Sequence, residues 1–171
     1  MILQKADSSH VPIIWNILQE AIEQRKQEGS RQWQDGYPNE QTVHEDIAKG
    51  YAYVLVDEDV VVAYVAIIFD GEPAYDSIDG KWLTYGDYAA VHRVATSNAA
   101  KGKGVATRLL QLLEPFCHER KVYSIKLDTN FDNPAMLKIL NKLNYTYCGE
   151  IFFKGASRKA YEKVLKSGES L

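Results

Sequence analysis

The segment Lys101-Gly102-Lys103-Gly104-Val105-Ala106 constrains this chain more than any other. Ahead of it, residues 88–96 read as a strand, and behind it Val105, Leu109, Leu112, Leu113 and Phe116 mark one face of an amphipathic helix that opens inside the motif. A helix start leaves several backbone N–H groups without acceptors at the positive end of the helix dipole. Glycines at 102 and 104 remove side chains from the approach and permit backbone angles that turn successive N–H groups inward. Lys101, Lys103 and Arg108 add positive charge, and the Thr107 hydroxyl can donate a hydrogen bond. Such a turn suits phosphate oxygens; the alternative is that the two glycines only shape a tight start to the helix. A P-loop is excluded by spacing. A dinucleotide fingerprint would need a third small residue where Thr107 stands and its first glycine directly behind the strand.

The rest of the chain supplies the frame around that turn. Residues 2–6 read as a strand, and Asp7, Ser8 or Ser9 can cap a helix with Val11, Ile14, Ile17, Leu18 and Ile22 on one face, ended by Gly29. An aromatic turn at 33–39 precedes a second helix, capped by Asn39 and stopping near Gly50. Residues 51–56 and 60–69 form a hairpin about the turn 57–59. Residues 70–87, with Gly71, Pro73, Gly80 and Gly86, break every periodicity and read as a long surface loop. A strand at 122–128 leads to a helix capped by Asn133, with Met136, Ile139, Leu140 and Leu143 inward, and strands at 145–153 and 160–165 close the sheet. The outcome is a mixed α/β domain with one central sheet, spanning 1–171.

Composition narrows the function classes. With 171 residues, 46% hydrophobic, the chain can bury one continuous core, and a net charge of -3 gives no general attraction to nucleic acid or anionic lipid. The first residues lack a basic stretch followed by an apolar one, and no apolar run reaches membrane length, so a cytoplasmic protein is expected. The two cysteines, Cys117 and Cys148, stand in neither metal-ligand nor disulfide spacing, which fits a reducing compartment and no metal site.

The run Val91-His92-Arg93-Val94-Ala95-Thr96, the glycine turn and residues 105–114 together resemble the strand-turn-helix core of the GNAT superfamily of N-acetyltransferases. Downstream, Leu127-Asp128-Thr129-Asn130-Phe131-Asp132-Asn133-Pro134-Ala135-Met136 and Leu143-Asn144-Tyr145 resemble that family's second cofactor segment. The resemblance implies a central, mostly antiparallel sheet with helices on both faces and the order β-α-α-β-β-β-α-β-α-β-β. It also implies acetyl-CoA as co-substrate. Backbone groups of Val94, Ala95 and Thr96 would pair with the pantetheine amides, main-chain N–H groups of Gly102, Lys103, Gly104, Val105, Ala106 and Thr107 would hold the pyrophosphate, and Asn133 and Met136 would lie along the cofactor arm. Two residues depart from the family pattern. Lys101 stands where glutamine or arginine is usual, keeping charge without planar bidentate geometry, and Leu140 stands where many members have the tyrosine that serves as general acid.

Amine acetylation needs a neutral nucleophile, a base to take its proton and a donor at the developing oxyanion. By resemblance, a backbone N–H of Val94 or Ala95 polarises the carbonyl in a slot opened by a strand bulge. His92 lies just upstream and ionises in the range that suits proton removal at neutral pH; a packed strand histidine is the alternative. Glu72 is the second candidate base, or else a solvated loop carboxylate. Cys148 reads as a structural thiol.

On the acceptor side, Asp57, Glu58, Asp59, Asp70, Glu72, Asp76, Asp79 and Asp87 make residues 57–87 strongly acidic, with Lys81 as the only basic residue. Trp33, Tyr37, Tyr75, Trp82 and Tyr85 lie in the irregular segments and could wall an amine pocket, with cation–π contact to an ammonium. Ordinary solvated charges and packed loop aromatics are the alternative. The expected partner is a small-molecule or peptide amine, while monomer and homodimer are left open. So is the rival reading as an acyl-CoA-binding module or sensor of the same fold without transfer activity.

Overall fold

The hairpin strands are dominated by β-branched and aromatic residues, and the structure builds its sheet on them. The computed structural model describes residues 1–167; residues 168–171 of the expected 1–171 domain lie outside the described part. The chain resolves into two compact units, residues 1–67 with 93–109, and residues 68–92 with the chain from 110 onward.

In the first unit, β1 (Ile2–Lys5) leads through a 3-10 turn at Ser8–His10 into α1 (Val11–Gln27). Asp7 caps the turn, its carboxylate accepting from the Ser9 N–H at 2.8 Å. Gly29, at φ 79°, takes the left-handed conformation just past the helix end. Asn39 caps α2 (Glu40–Ala48) by accepting from the Thr42 N–H at 3.0 Å. Strands β2 (Ala52–Asp57) and β3 (Val60–Ile68) form the expected antiparallel hairpin, and β1 pairs with β2 so that Leu3 lies opposite Leu55. Ile14, Ile17 and Leu18 of α1 are fully buried in one cluster with Val43, Val54 and Tyr64. Burial of each such side chain stabilises by roughly 1.5–3 kcal/mol.

The second unit contains β4 (Asp79–Gly80), β6 (Ser124–Thr129), α4 (Pro134–Lys142), β7 (Thr146–Phe153) and β8 (Ala156–Val164). Strand β5 (Ala89–Thr96) begins in this unit and ends in the first, and α3 (Val105–Glu119) runs the other way. The strand order in the second unit is β5-β6-β8-β7-β4, with β5 and β6 parallel and the other pairs antiparallel.

Two stretches differ most from the sequence-based expectation. The 70–87 segment is not one irregular loop: it holds a 3-10 helix at Pro73–Ser77 and the short strand β4. That strand adds one element to the expected order. It depends on glycines, because a Cβ at Gly80 would lie 2.2 Å from the Cys148 carbonyl oxygen, and one at Gly149 would lie 2.2 Å from that of Asp79. Finally, β8 starts at Ala156 rather than 160. Lys154 and Gly155, at φ 51° and 79°, make a two-residue turn whose twist lets pairing begin at once, as Phe153 opposite Ala156. Among the described residues no helix is long and apolar enough to cross a membrane.

Candidate active site

The ladder between β5 and β6 runs from Ala89 opposite Ile125 to Val91 opposite Leu127, and ends there. His92 is the next residue. Arg93 follows with φ 56°, a conformation that a non-glycine side chain holds only where its surroundings demand it. Those surroundings are explicit. The Arg93 guanidinium donates from Nε to Asp46 Oδ2 at 2.9 Å and from Nη2 to Asp46 Oδ1 at 2.5 Å, and from Nη1 to the Tyr37 hydroxyl. Tyr64 donates to the same carboxylate at 2.5 Å. Burial opposes the Arg93 charge, but Tyr37 and Asp46 outweigh it and hold its pKa above the ordinary value. Burial and the Asp46 carboxylate likewise push the Tyr64 hydroxyl far up.

His92 is 7% exposed, too little for a solvated surface histidine. Its Nε2 lies 3.1 Å from Glu72 Oε2 and its Nδ1 lies 3.9 Å from Asp128 Oδ2. The ring stacks on Phe153 at a centroid distance of 5.5 Å. The two candidate bases are thus one pair. Glu72 is positioned by its own segment: its carboxylate caps the 3-10 helix, accepting from the Ala74 N–H at 3.2 Å, and its N–H donates to the Tyr88 hydroxyl at 2.8 Å.

Behind His92 stands a second layer built on Asp128, a residue to which sequence reading gave no catalytic role. Asp128, 1% exposed at its side chain, accepts from the Tyr75 hydroxyl at 2.7 Å. It also faces Arg158 Nε at 2.6 Å. The latter is an ion pair by distance, with the Nε–H not aligned as a hydrogen bond. Burial first, and then the Asp128 charge, hold the Tyr75 hydroxyl well above the ordinary tyrosine range, so it stays a donor. The available signal is an acid, Asp128, alternating with Lys126 among the apolar positions Ile125 and Leu127 of one short strand.

The glycine turn lies in the first unit with Val94, Ala95 and Thr96. Gly102 and Gly104 adopt φ 76° and 70°, and a Cβ at either would meet nothing within 4 Å. Backbone conformation, not packing, therefore calls for glycine there, and the approach to the turn is open. The Lys101 N–H is taken by Asn98, and Arg108 is the first to donate back, to the Gly104 carbonyl at 3.0 Å. Helix geometry leaves the N–H groups of residues 105–107 without intrahelical acceptors. Lys101, Lys103 and Arg108 are exposed beside them. In the second unit, Asn133 caps α4, accepting from the Met136 N–H at 3.2 Å. Leu140, at the position where many family members have a tyrosine, is fully buried.

The aromatic residues expected on the acceptor side mostly serve internal contacts. Trp33 is buried with the Arg25 guanidinium 3.9 Å from its ring centre, and Tyr37 lies under Arg93. Lys126 Nζ sits 4.6 Å from the Trp82 ring centre, 4.4 Å from that of Tyr88 and 5.8 Å from that of Tyr85, and donates to the Thr84 carbonyl at 3.0 Å. Burial lowers the pKa of that ammonium, with Glu162 opposing. Tyr75 is buried, its hydroxyl committed to Asp128. Only Tyr85 of the five is largely exposed, at 70%. The cation–π faces expected for an incoming ammonium at Trp33, Tyr37 and Trp82 thus already meet the chain's own cations.

Comparison with known proteins places this geometry in a family. The model of the acetyltransferase (GNAT) family matches residues 14–145. The chain belongs to that family and is an N-acetyltransferase. It is 28% identical over 142 residues to YesJ, an uncharacterised N-acetyltransferase of Bacillus subtilis (strain 168), covering 80% of this chain and 76% of that one. A GNAT-family acetyltransferase from Streptococcus agalactiae 2603 shares 36% identity at a TM-score of 0.89, over 97% of this chain and 96% of the other. A putative acetyltransferase from Staphylococcus aureus Mu50 shares 27% identity at a TM-score of 0.72, over 97% and 100%. The mixed α/β, mostly antiparallel fold is theirs. The family generally uses acetyl-CoA as co-substrate, and an open turn with left-handed glycines and exposed lysines fits its phosphates.

Proposed function

We propose that this N-acetyltransferase transfers the acetyl group of acetyl-CoA to a primary amine by direct attack in a ternary complex, with His92 as the base that takes the amine proton. Acetyl-CoA supplies the acetyl group as an activated thioester. The single observation that carries the reading is the buried His92–Glu72 contact at 3.1 Å, on the strand residue where β5 parts from β6. Glu72 orients the imidazole and stabilises it once protonated, a division of labour in which the carboxylate acts through the histidine. Backbone groups of Val94, Ala95 and Thr96 hold the pantetheine arm and polarise the carbonyl. Main-chain N–H groups of residues 102–107, with Lys101 and Lys103, hold the pyrophosphate. Asn133 and Met136 flank the arm.

For the acceptor, support comes from charge. Asp76, Asp79 and Asp87 are exposed on the segment that also carries Glu72 and the exposed Tyr85. An acidic surface of this kind raises the local concentration of cationic amines, and salt weakens the effect. Thiol release from acetyl-CoA, followed with spermidine, a lysine-rich peptide, glycine and glutamate at low and high salt, tests the acceptor class. The cationic acceptors should turn over several-fold faster at low salt and lose that advantage at high salt. Equal rates across the panel would count against it.

A further inference from the structure

His92 is surrounded on several sides, and its second neighbour matters as much as its first. Glu72 comes from the segment after β3, Tyr75 from the 3-10 helix, Asp128 from β6 and Arg158 from β8; Phe153 of β7 supplies the uncharged stacking face. Tyr88, whose hydroxyl accepts from the Glu72 N–H, and Lys154, 5.8 Å from the Phe153 ring centre, border these partners as well. The imidazole therefore lies between two carboxylates, one at 3.1 Å and one at 3.9 Å. Two carboxylates facing one ring compete for its N–H groups unless one of them is compensated from another side. The second carboxylate, however, does not act at full strength. Its oxygens are engaged by the Tyr75 hydroxyl at 2.7 Å and the Arg158 guanidinium at 2.6 Å, and its side chain is 1% exposed.

We propose that Asp128, with its charge damped by Tyr75 and Arg158, acts on His92 electrostatically from 3.9 Å and sets the pH at which the ring loses its proton. The inference rests on the reading of His92 as the base, and it assigns to Tyr75 a function different from the acceptor wall expected of it. Its signs are fixed by Coulomb's law. Removing the Asp128 charge must make His92 give up its proton more readily. Removing Arg158 must do the opposite, because Asp128 then acts undamped, and removing the Tyr75 hydroxyl must do the same more weakly.

The test follows the His92 ring by long-range proton–nitrogen NMR across pH 5–9, its signals assigned among the four histidines by their loss in His92→Gln. Asp128→Asn should lower the His92 midpoint by about one pH unit, a roughly tenfold weaker hold on the proton. Arg158→Gln should raise it by a similar amount and Tyr75→Phe by less. A midpoint that stays in place in all three variants, or moves the same way in Asp128→Asn and Arg158→Gln, overturns the proposal. If Asp128→Asn fails to fold, Tyr75→Phe and Arg158→Gln carry the test alone, since both must shift upward. Thiol release with spermidine in the same variants separates the two readings. Were His92→Gln to keep the wild-type pH profile, the assignment of His92 as base would fail, whereas the NMR shifts would still decide the role of Asp128.

Discussion

Single residues in this chain carry charge or polarity in places that only their partners explain. Arg93 keeps a left-handed backbone because Asp46, Tyr37 and Tyr64 fix its side chain from within the first unit. Removing one partner of a buried ion pair leaves the other uncompensated, at a cost of about 3–5 kcal/mol. Glu162, with no exposed surface, is satisfied in the same manner: it accepts from the Leu83 N–H at 2.8 Å and from the Ser124 hydroxyl at 2.8 Å, as well as from Thr84. Cys117 shows the reverse case, a group kept neutral. It is fully buried, and burial pushes its thiol from an ordinary 9.0 up to about 12. In that window the unfolded chain has lost the proton and the folded chain retains it, so stability falls as pH rises above 9. The loss should approach 4 kcal/mol by pH 12, at about 1.4 kcal/mol per unit. Urea unfolding of wild type and Cys117→Ala between pH 8 and 11 checks it: the alkaline decline should be shallower in the variant, and parallel declines would refute the account.

At the level of elements, local chemistry was written plainly in the chain. Asn39 and Asn133 were readable as helix caps because their short side chains reach the backbone N–H three residues on, and they do so. The hairpin of β2 and β3 and the helix behind the glycine turn follow from side-chain periodicity. What stayed hidden depends on contacts far apart in sequence. The 3-10 helix and β4 are set by partners such as Asp128 and Gly149, which no local pattern announces. The aromatic residues read as acceptor walls were legible as aromatic but not as neighbours of Arg25, Arg93 and Lys126. His92 and Glu72, weighed as rivals, are partners because the 70–87 segment folds back on β5. The glycine turn offers its own test. Gly102→Ala and Gly104→Ala force a Cβ onto left-handed backbone, and each should cost about 1 kcal/mol of stability without any clash. If the turn holds the pyrophosphate, the double variant should also lose most of the thermal stabilisation that saturating acetyl-CoA gives wild type, a stabilisation of about 2.7 kcal/mol at a hundredfold excess over Kd. An undiminished thermal shift would place the pyrophosphate elsewhere.

For the molecule as a whole, family membership and chain chemistry agree on acetyl transfer and leave the distribution of roles to this chain's own residues. Leu140 is buried where a tyrosine acid is common, and the base proposed for the reaction, His92, is paired with Glu72. The charge pattern runs the same way: acids dominate residues 57–87, and Lys101, Lys103 and Arg108 gather at the turn that fits the phosphates. The central claim is that the His92–Glu72 pair on β5 takes the proton of the acceptor amine. The most direct measurement is the rate of acetyl-CoA thiol release with spermidine across pH 6–9 in wild type, His92→Gln and Glu72→Gln. The account predicts a loss of about 10²–10⁴-fold for His92→Gln, with the acidic limb of the profile abolished, and a smaller loss for Glu72→Gln. A His92→Gln enzyme that keeps wild-type turnover over this range, while Glu72→Gln loses it, would contradict the account.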